Sequence, residues 1–188
     1  SVKRVERLEN EGLITSYAQQ RLWFIDQLQG RSAEYNMPLA LEVEGKLDVE
    51  KVEQAFTRII QRHESLRTVF KSQGDVTLQV IKEDFDFKVS QHDLRQLSRA
   101  EQQDRLKELI SSDIHQSFDL SHDLMVRASY IQLCTDDIDT KDVILFNMHH
   151  IASDGWSIGI LYKEFVTQYE ALSSGKPDPL APLEIQYA

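Results

Sequence analysis

Two adjacent histidines, His149 and His150, stand four residues ahead of an aspartate–glycine pair, Asp154-Gly155, in the segment MHHIASDGWS. Neutral imidazole, with an ordinary pKa of about 6.5, is suited to take a proton near neutral pH. Asp154 can cap a following helix or pair with a cation. Gly155 suits a tight turn that a β-carbon would obstruct. Neighbouring residues on a strand point to opposite faces, so only one of the two rings can face a given cavity while both remain on the strand. The other is left for packing or hydrogen bonding. The residues alone leave three readings open: a general base beside a structural histidine; two satisfied, partly buried histidines with a capping aspartate; or a zinc site. For zinc, His and Asp are acceptable ligands, but back-to-back rings diverge and no Cys or Glu cluster lies nearby. None of these names a substrate.

The segment needs a rigid support, and the flanking patterns supply one. Residues 143–150 form a dense β-branched and apolar run, the pattern of a central strand buried on both faces. From Trp156 to about Leu172 the spacing is helical, with Ile160, Phe165 and Tyr169 on a stripe with Leu161 and Leu172. The histidines therefore belong at a strand end before a helix, a common place for chemistry. Upstream, Ser16 can cap a helix to about Leu28. Leu39, Leu41 and Val43 alternate as in a half-buried strand ended by Gly45. Asp48 caps a helix with Val52, Ala55, Phe56, Ile59 and Ile60 on its apolar face. Residues 66–70, 76–81 and 85–89 read as short strands, the first two joined at Gly74-Asp75. Ser98 and Glu101 make a capping box that opens a helix to about His115. Residues 125–133 alternate as a further strand. This succession predicts an α/β fold, an α+β two-layer sandwich with a mixed sheet covered by helices.

The 188 residues allow one domain or one large lobe. Their 41% hydrophobic and 28% charged residues are those of a globular chain. The net charge of −10, from 21 Lys+Arg against 31 Asp+Glu, argues against a nucleic-acid partner and against an anionic membrane surface. The single cysteine, Cys134, excludes an internal disulfide and fits a reducing compartment. SVKRVERLENEGL has no apolar signal core, and no run approaches the ~18 apolar residues of a spanning helix. The expectation is a soluble, cytoplasmic protein. Three of the four prolines lie in GKPDPLAP, residues 175–182, which reads as an extended connector. The division expected is a lobe over residues 1–174 and a connector over 175–188.

HHIASDG (149–155) matches the HHxxxDG signature of condensation domains of nonribosomal peptide synthetases. SYAQQRLWF (16–24) resembles that family's first core motif, SxAQxRLWxL. RHESLRTVF (62–70) resembles the second, RHExLRTxF, at every specified position. FDLSHDLMVRASY (118–130) resembles the stretch before the signature strand, and PLEIQYA (182–188) the lead-in to the fourth motif. Three motifs in order carry far more weight than one HHxxxDG. The resemblance implies a chloramphenicol-acetyltransferase-like lobe, the N-terminal one of two that form a V around a channel. Members are more than twice this length, so the C-terminal lobe is expected as a partner and the chain alone is expected to be inactive.

The resemblance further implies an acyl-transfer enzyme that forms a peptide bond in the biosynthesis of secondary metabolites and antibiotics. A donor aminoacyl or peptidyl thioester on an upstream peptidyl carrier protein meets the amine of an acceptor on a downstream carrier. Phosphopantetheine arrives on the carriers, no cofactor is bound by the domain, and an adenylation domain is a neighbour. Thioesters are already activated, so the enzyme has chiefly to align the two ends. His150 is expected to face the channel, as base or as orienting group. A backbone N–H near Gly155 could hold the oxyanion. His149 is expected to be structural, as is Asp154, in a buried salt bridge with Arg67 in preference to Arg62; for both arginines the plain alternative is an ordinary surface pair. Gln19, Arg21 and Trp23 fit helix packing as well as function, and Ser157 a helix-capping hydroxyl. SDGWS and EYNMPLAL (34–41) look most like the subtype taking an L-configured donor. Two other functions stay open: a non-catalytic carrier-protein interaction module, and half of a freestanding acyltransferase.

Overall fold

The computed structural model describes residues 14–15, 36–152 and 157–180. The described elements in chain order are β1 (Ile14–Thr15), β2 (Asn36–Val43), α1 (Val49–Arg62), β3 (Thr68–Gln73), β4 (Val76–Ile81), β5 (Ser90–Asp93), α2 (Arg99–His115), β6 (Val126–Gln132), β7 (Asp142–His149) and α3 (Ile158–Ser173). Short 3-10 turns occupy Glu64–Arg67 and His150–Ala152.

The run VILFNM forces the architecture. Residues 142–148 of β7 are all buried, so the strand needs neighbours on both edges and cover on both faces. It lies third in a five-stranded sheet of order β1-β2-β7-β6-β5. It pairs antiparallel with β2, Leu39 opposite Phe146, and with β6, Ala128 opposite Phe146. β5 runs parallel to β6, which makes the sheet mixed. Ile144, Phe146 and Met148 point into the larger core with residues of α1 and α3. Val143 and Leu145 point the other way, onto Leu106, Ile110 and Ile114 of α2. The α/β class and the helix-covered mixed sheet are as expected. The two-layer picture gains a layer, because β7 has no face that water can wet and α2 covers the second one.

Local signals fix the helices. The Asp48 carboxylate caps α1 by accepting from the Lys51 amide at 3.4 Å. Ser98 Oγ accepts from the Glu101 amide at 3.2 Å while Glu101 Oε1 accepts from the Ser98 amide at 3.1 Å, so the capping box is complete. The stripe on α1 places Phe56 at the centre of an aromatic cluster, with ring centroids 4.8, 5.2 and 5.1 Å from Phe87, Phe146 and Phe165. Such pairs add about 0.5–1.5 kcal/mol each beyond area burial.

Three expectations shift. The strand expected over 85–89 is not one. Phe87 and Val89 are buried, but the ladder to β6 starts only at Ser90, opposite Ser129. Leu66 belongs to a 3-10 turn, and β3 starts at Thr68. Ile160, expected on the inward stripe, is 39% exposed in the first turn of α3. The helix expected over 16–28 lies outside the described residues.

At the far end of β7, Asp142 is fully buried and its carboxylate accepts four hydrogen bonds. The donors are the Tyr130 hydroxyl (2.6 Å), the Leu133 and Cys134 amides (2.8 and 3.0 Å) and Lys46 Nζ (3.2 Å). Burial, and then the bond to Asp142, push the Tyr130 hydroxyl's pKa far up, so it stays a donor.

Beyond α3 the first residues of the expected connector fold back. The Lys176 amide reaches the Ala171 carbonyl at 2.8 Å, around Gly175 at φ +67°. Gln168 Nε2 donates to Asp178 at 2.7 Å. Among the described residues, no helix is long and apolar enough to cross a membrane.

Candidate active site

β7 delivers the two histidines into different surroundings. The odd-numbered positions Asn147 and His149 share the α2 side of the sheet. His149 closes the strand, its amide bonded to the Met125 carbonyl at 2.9 Å. Its ring meets Phe118 edge-on at 5.5 Å. Nδ1 accepts the Ile151 amide at 3.0 Å, so the ring is neutral and carries its hydrogen on Nε2. Burial, then the nearby charges of His150 and Arg127, hold the His149 pKa below the usual imidazole value.

His150 opens the 3-10 turn and is exposed, with Ile151 exposed beside it and Ala152 buried behind. The strand ends one residue earlier than the apolar run suggests. The reason is local: the Ile151 amide leaves the ladder direction to bond the ring of His149.

A buried polar group supports Phe118, the wall against His149. The Arg127 guanidinium lies 4.2 Å from the Phe118 ring centroid. It pairs with Asp113 at 3.1 Å and donates to the Gln116 carbonyl at 2.7 Å. Asn147 Nδ2 donates to Asp113 Oδ2 at 3.3 Å, and Asn36 Nδ2 to the Ile114 carbonyl at 2.8 Å. The carbonyls at the C-terminus of α2 are thus satisfied by side chains from β2, β6 and β7. Burial raises the Asp113 pKa, opposed by Arg127. A groove of about 410 Å³ runs along Phe118 and Arg127 past Lys82, Asp86, Lys88 and His122. Neither His149 nor His150 lines it.

On the other side of the sheet, the segment after α1 sits behind the turn. Ser65 Oγ donates to the Ala152 carbonyl at 3.3 Å. His63 Nε2 lies 2.8 and 2.9 Å from the two carboxylate oxygens of Glu164 on α3. A carboxylate only accepts, so that nitrogen carries the hydrogen. Arg62 Nε stands 3.4 Å from the same carboxylate. Arg67 Nε, Nη1 and Nη2 donate to the carbonyls of Ile60, Lys82 and Gln61 at 3.2, 3.0 and 3.4 Å. It closes the C-terminus of α1, where a cation is also favoured by the helix dipole. Asp154 and Gly155 lie outside the described residues. Among the described residues the carboxylate beside Arg62 is Glu164. Motif spacing does not single out Glu164, although its place between Leu161, Phe165 and Gln168 puts it on the inward stripe of α3. Asn147 carries a plainer signal, a lone amide inside an apolar run. No group of three or more His, Cys, Asp or Glu among the described residues is placed to hold a metal ion.

Comparison with known proteins decides the kinship. The condensation-domain profile matches residues 10–188. The chain belongs to the condensation-domain family. It is 46% identical over 178 residues to a linear gramicidin synthase of Brevibacillus parabrevis, covering 95% of this chain and 3% of that protein. It is 39% identical over 176 residues to chondramide synthase cmdD of Chondromyces crocatus, 94% of this chain and 4% of the other. Among solved structures, the epimerization domain from the third module of tyrocidine synthetase B superposes with a TM-score of 0.69 at 26% identity, over 89% of this chain and 37% of that one. The starter condensation domain of the rhizomide synthetase RzmA gives 0.66 at 22%, over 89% and 40%, which is a likeness of fold. The fold is thus the chloramphenicol-acetyltransferase-like one of condensation domains. The chain spans only a few per cent of the length of the curated relatives.

Proposed function

We propose that this chain is the His-bearing N-terminal lobe, residues 1–174, of a peptide-bond-forming condensation domain, with 175–188 leading toward a second lobe. The reaction joins a donor aminoacyl or peptidyl thioester to the amine of an acceptor. Both are held on phosphopantetheine arms of peptidyl carrier proteins, in a cytoplasmic synthetase that also carries an adenylation domain. The catalytic unit is longer than this chain, which is inactive by itself. Membership of the family supports the reaction class.

The observation that carries the site assignment is the exposure of His150 on a turn fixed by the ring of His149. An exposed imidazole can accept the amine proton or orient the amine by a hydrogen bond. His149, with Nδ1 already bonded and its ring against Phe118, serves the turn and not the substrate. Asp154 and Gly155 support the site, and a backbone amide near Gly155 holds the oxyanion. The test is His150→Ala in the whole synthetase module with loaded carrier proteins, scoring condensed product per turnover. Loss of roughly 10²–10⁴-fold fits a general base. Undiminished product formation with normally loaded carriers removes His150 from the mechanism.

A further inference from the structure

We infer that Ser65 is a positioning residue for His150, acting through the carbonyl of Ala152. The inference rests on the role proposed for His150. The turn His150–Ala152 follows the last ladder residue of β7 and needs its own anchors. One is local, the Ile151 amide on His149 Nδ1. Another is Ser65 Oγ on the carbonyl of Ala152, the last residue of the turn. Ser65 comes from 87 positions upstream, so this bond ties the turn to a different part of the fold.

Several hydrogen bonds hold its base. Ser65 lies in the 3-10 turn Glu64–Arg67 between α1 and β3. Thr68 Oγ1 holds the Glu64 carbonyl at 2.8 Å. Arg67 holds the last carbonyls of α1. His63, which opens the turn, is fixed to Glu164 of α3. Helix α3 is tied into the same frame through Glu164 and His63. A shift of ~1 Å in a reacting group can cost about 10²-fold in rate. A hydroxyl that fixes the turn therefore acts on the rate of the chemical step rather than on capture of the carriers.

The experiment compares Ser65→Ala, Ser65→Thr and His150→Ala in the whole module with loaded carriers, measuring kcat, KM for the loaded carriers and melting temperature. For Ser65→Ala we expect kcat to fall roughly 3- to 30-fold, within the range set by small misplacement, with KM and melting temperature unchanged. Ser65→Thr keeps the hydroxyl and recovers kcat. Unchanged kcat in Ser65→Ala overturns the inference. So does a kcat loss that comes with an equivalent loss of melting temperature, or one that Thr does not repair. If His150→Ala abolishes product while Ser65→Ala is silent, only the positioning role fails. If His150→Ala is itself silent, the site assignment fails and the positioning role with it.

Discussion

Replacing Arg67 by lysine separates two accounts of the second motif. If Arg67 is one half of an ion pair with Asp154, Lys keeps the charge and Asp154→Asn should couple to it. Three guanidinium nitrogens hold three backbone carbonyls, two at the end of α1 and one at Lys82. One ammonium on a flexible stem can replace about one of these bonds. Two bonds from a charged donor are lost, each worth about 1.5–3 kcal/mol, and partial access of water to the Gln61 carbonyl reduces the sum. A destabilisation of about 2–3 kcal/mol follows, which for a chain of this size is roughly 5–10 °C in melting temperature. The assay is denaturant and thermal unfolding of wild type, Arg67→Lys, Asp154→Asn and the double variant. If the carbonyl clamp alone accounts for Arg67, the double-mutant cycle closes to within about 0.5 kcal/mol. A coupling above ~1 kcal/mol, or a stability for Arg67→Lys equal to wild type, refutes the carbonyl-clamp account.

Two further outcomes follow from the fold. His149 titrates below its ordinary value in the folded chain, so the unfolded chain takes the proton first. Its contribution is intact above about pH 6.5 and is lost as pH falls through the interval below. His149→Gln should therefore flatten the stability–pH curve there relative to wild type, and parallel curves would contradict this; Asp113, whose pKa is raised, acts in the opposite sense in both proteins. On β4, Val76, Leu78 and Val80 are 58, 40 and 41% exposed on an edge that pairs only with β3 among the described residues. Such edges template association. Leu78→Lys should suppress concentration-dependent self-association in sedimentation while leaving the melting temperature alone, and a wild type that is monomeric at all concentrations would refute the idea.

What the sequence made legible was local or periodic. The Asp48 cap and the Ser98–Glu101 box each follow from residues within a few positions of one another and are found, and the two-sided burial expected over 143–150 is found over 142–148. The motifs named the family, which the profile and the relatives bear out. Illegible was whatever depended on a partner distant in sequence. The composition of 85–89 suggested a strand, but it cannot say whether a neighbouring strand lies in register to make a ladder. That Arg67 would reach back to helix carbonyls depends on how the 3-10 turn folds under α1, and no spacing rule encodes it.

The two histidines are unlike because β7 makes them so. Odd positions of the strand face α2, where Asn147 joins a buried polar group and His149 meets Phe118. A strand continued by one residue would point the ring of His150 toward the apolar side that holds Ile144, Phe146 and Met148, and an imidazole there would have to find a partner or lose its charge. The Ile151 amide prevents this by bonding His149 Nδ1 and starting a turn. The first imidazole thus shapes the backbone that exposes the second. Only a neutral ring with Nδ1 unprotonated can do so, and the burial that lowers the His149 pKa keeps it in that form. The same burial that makes His149 a poor candidate for proton transfer is what holds its neighbour in the open.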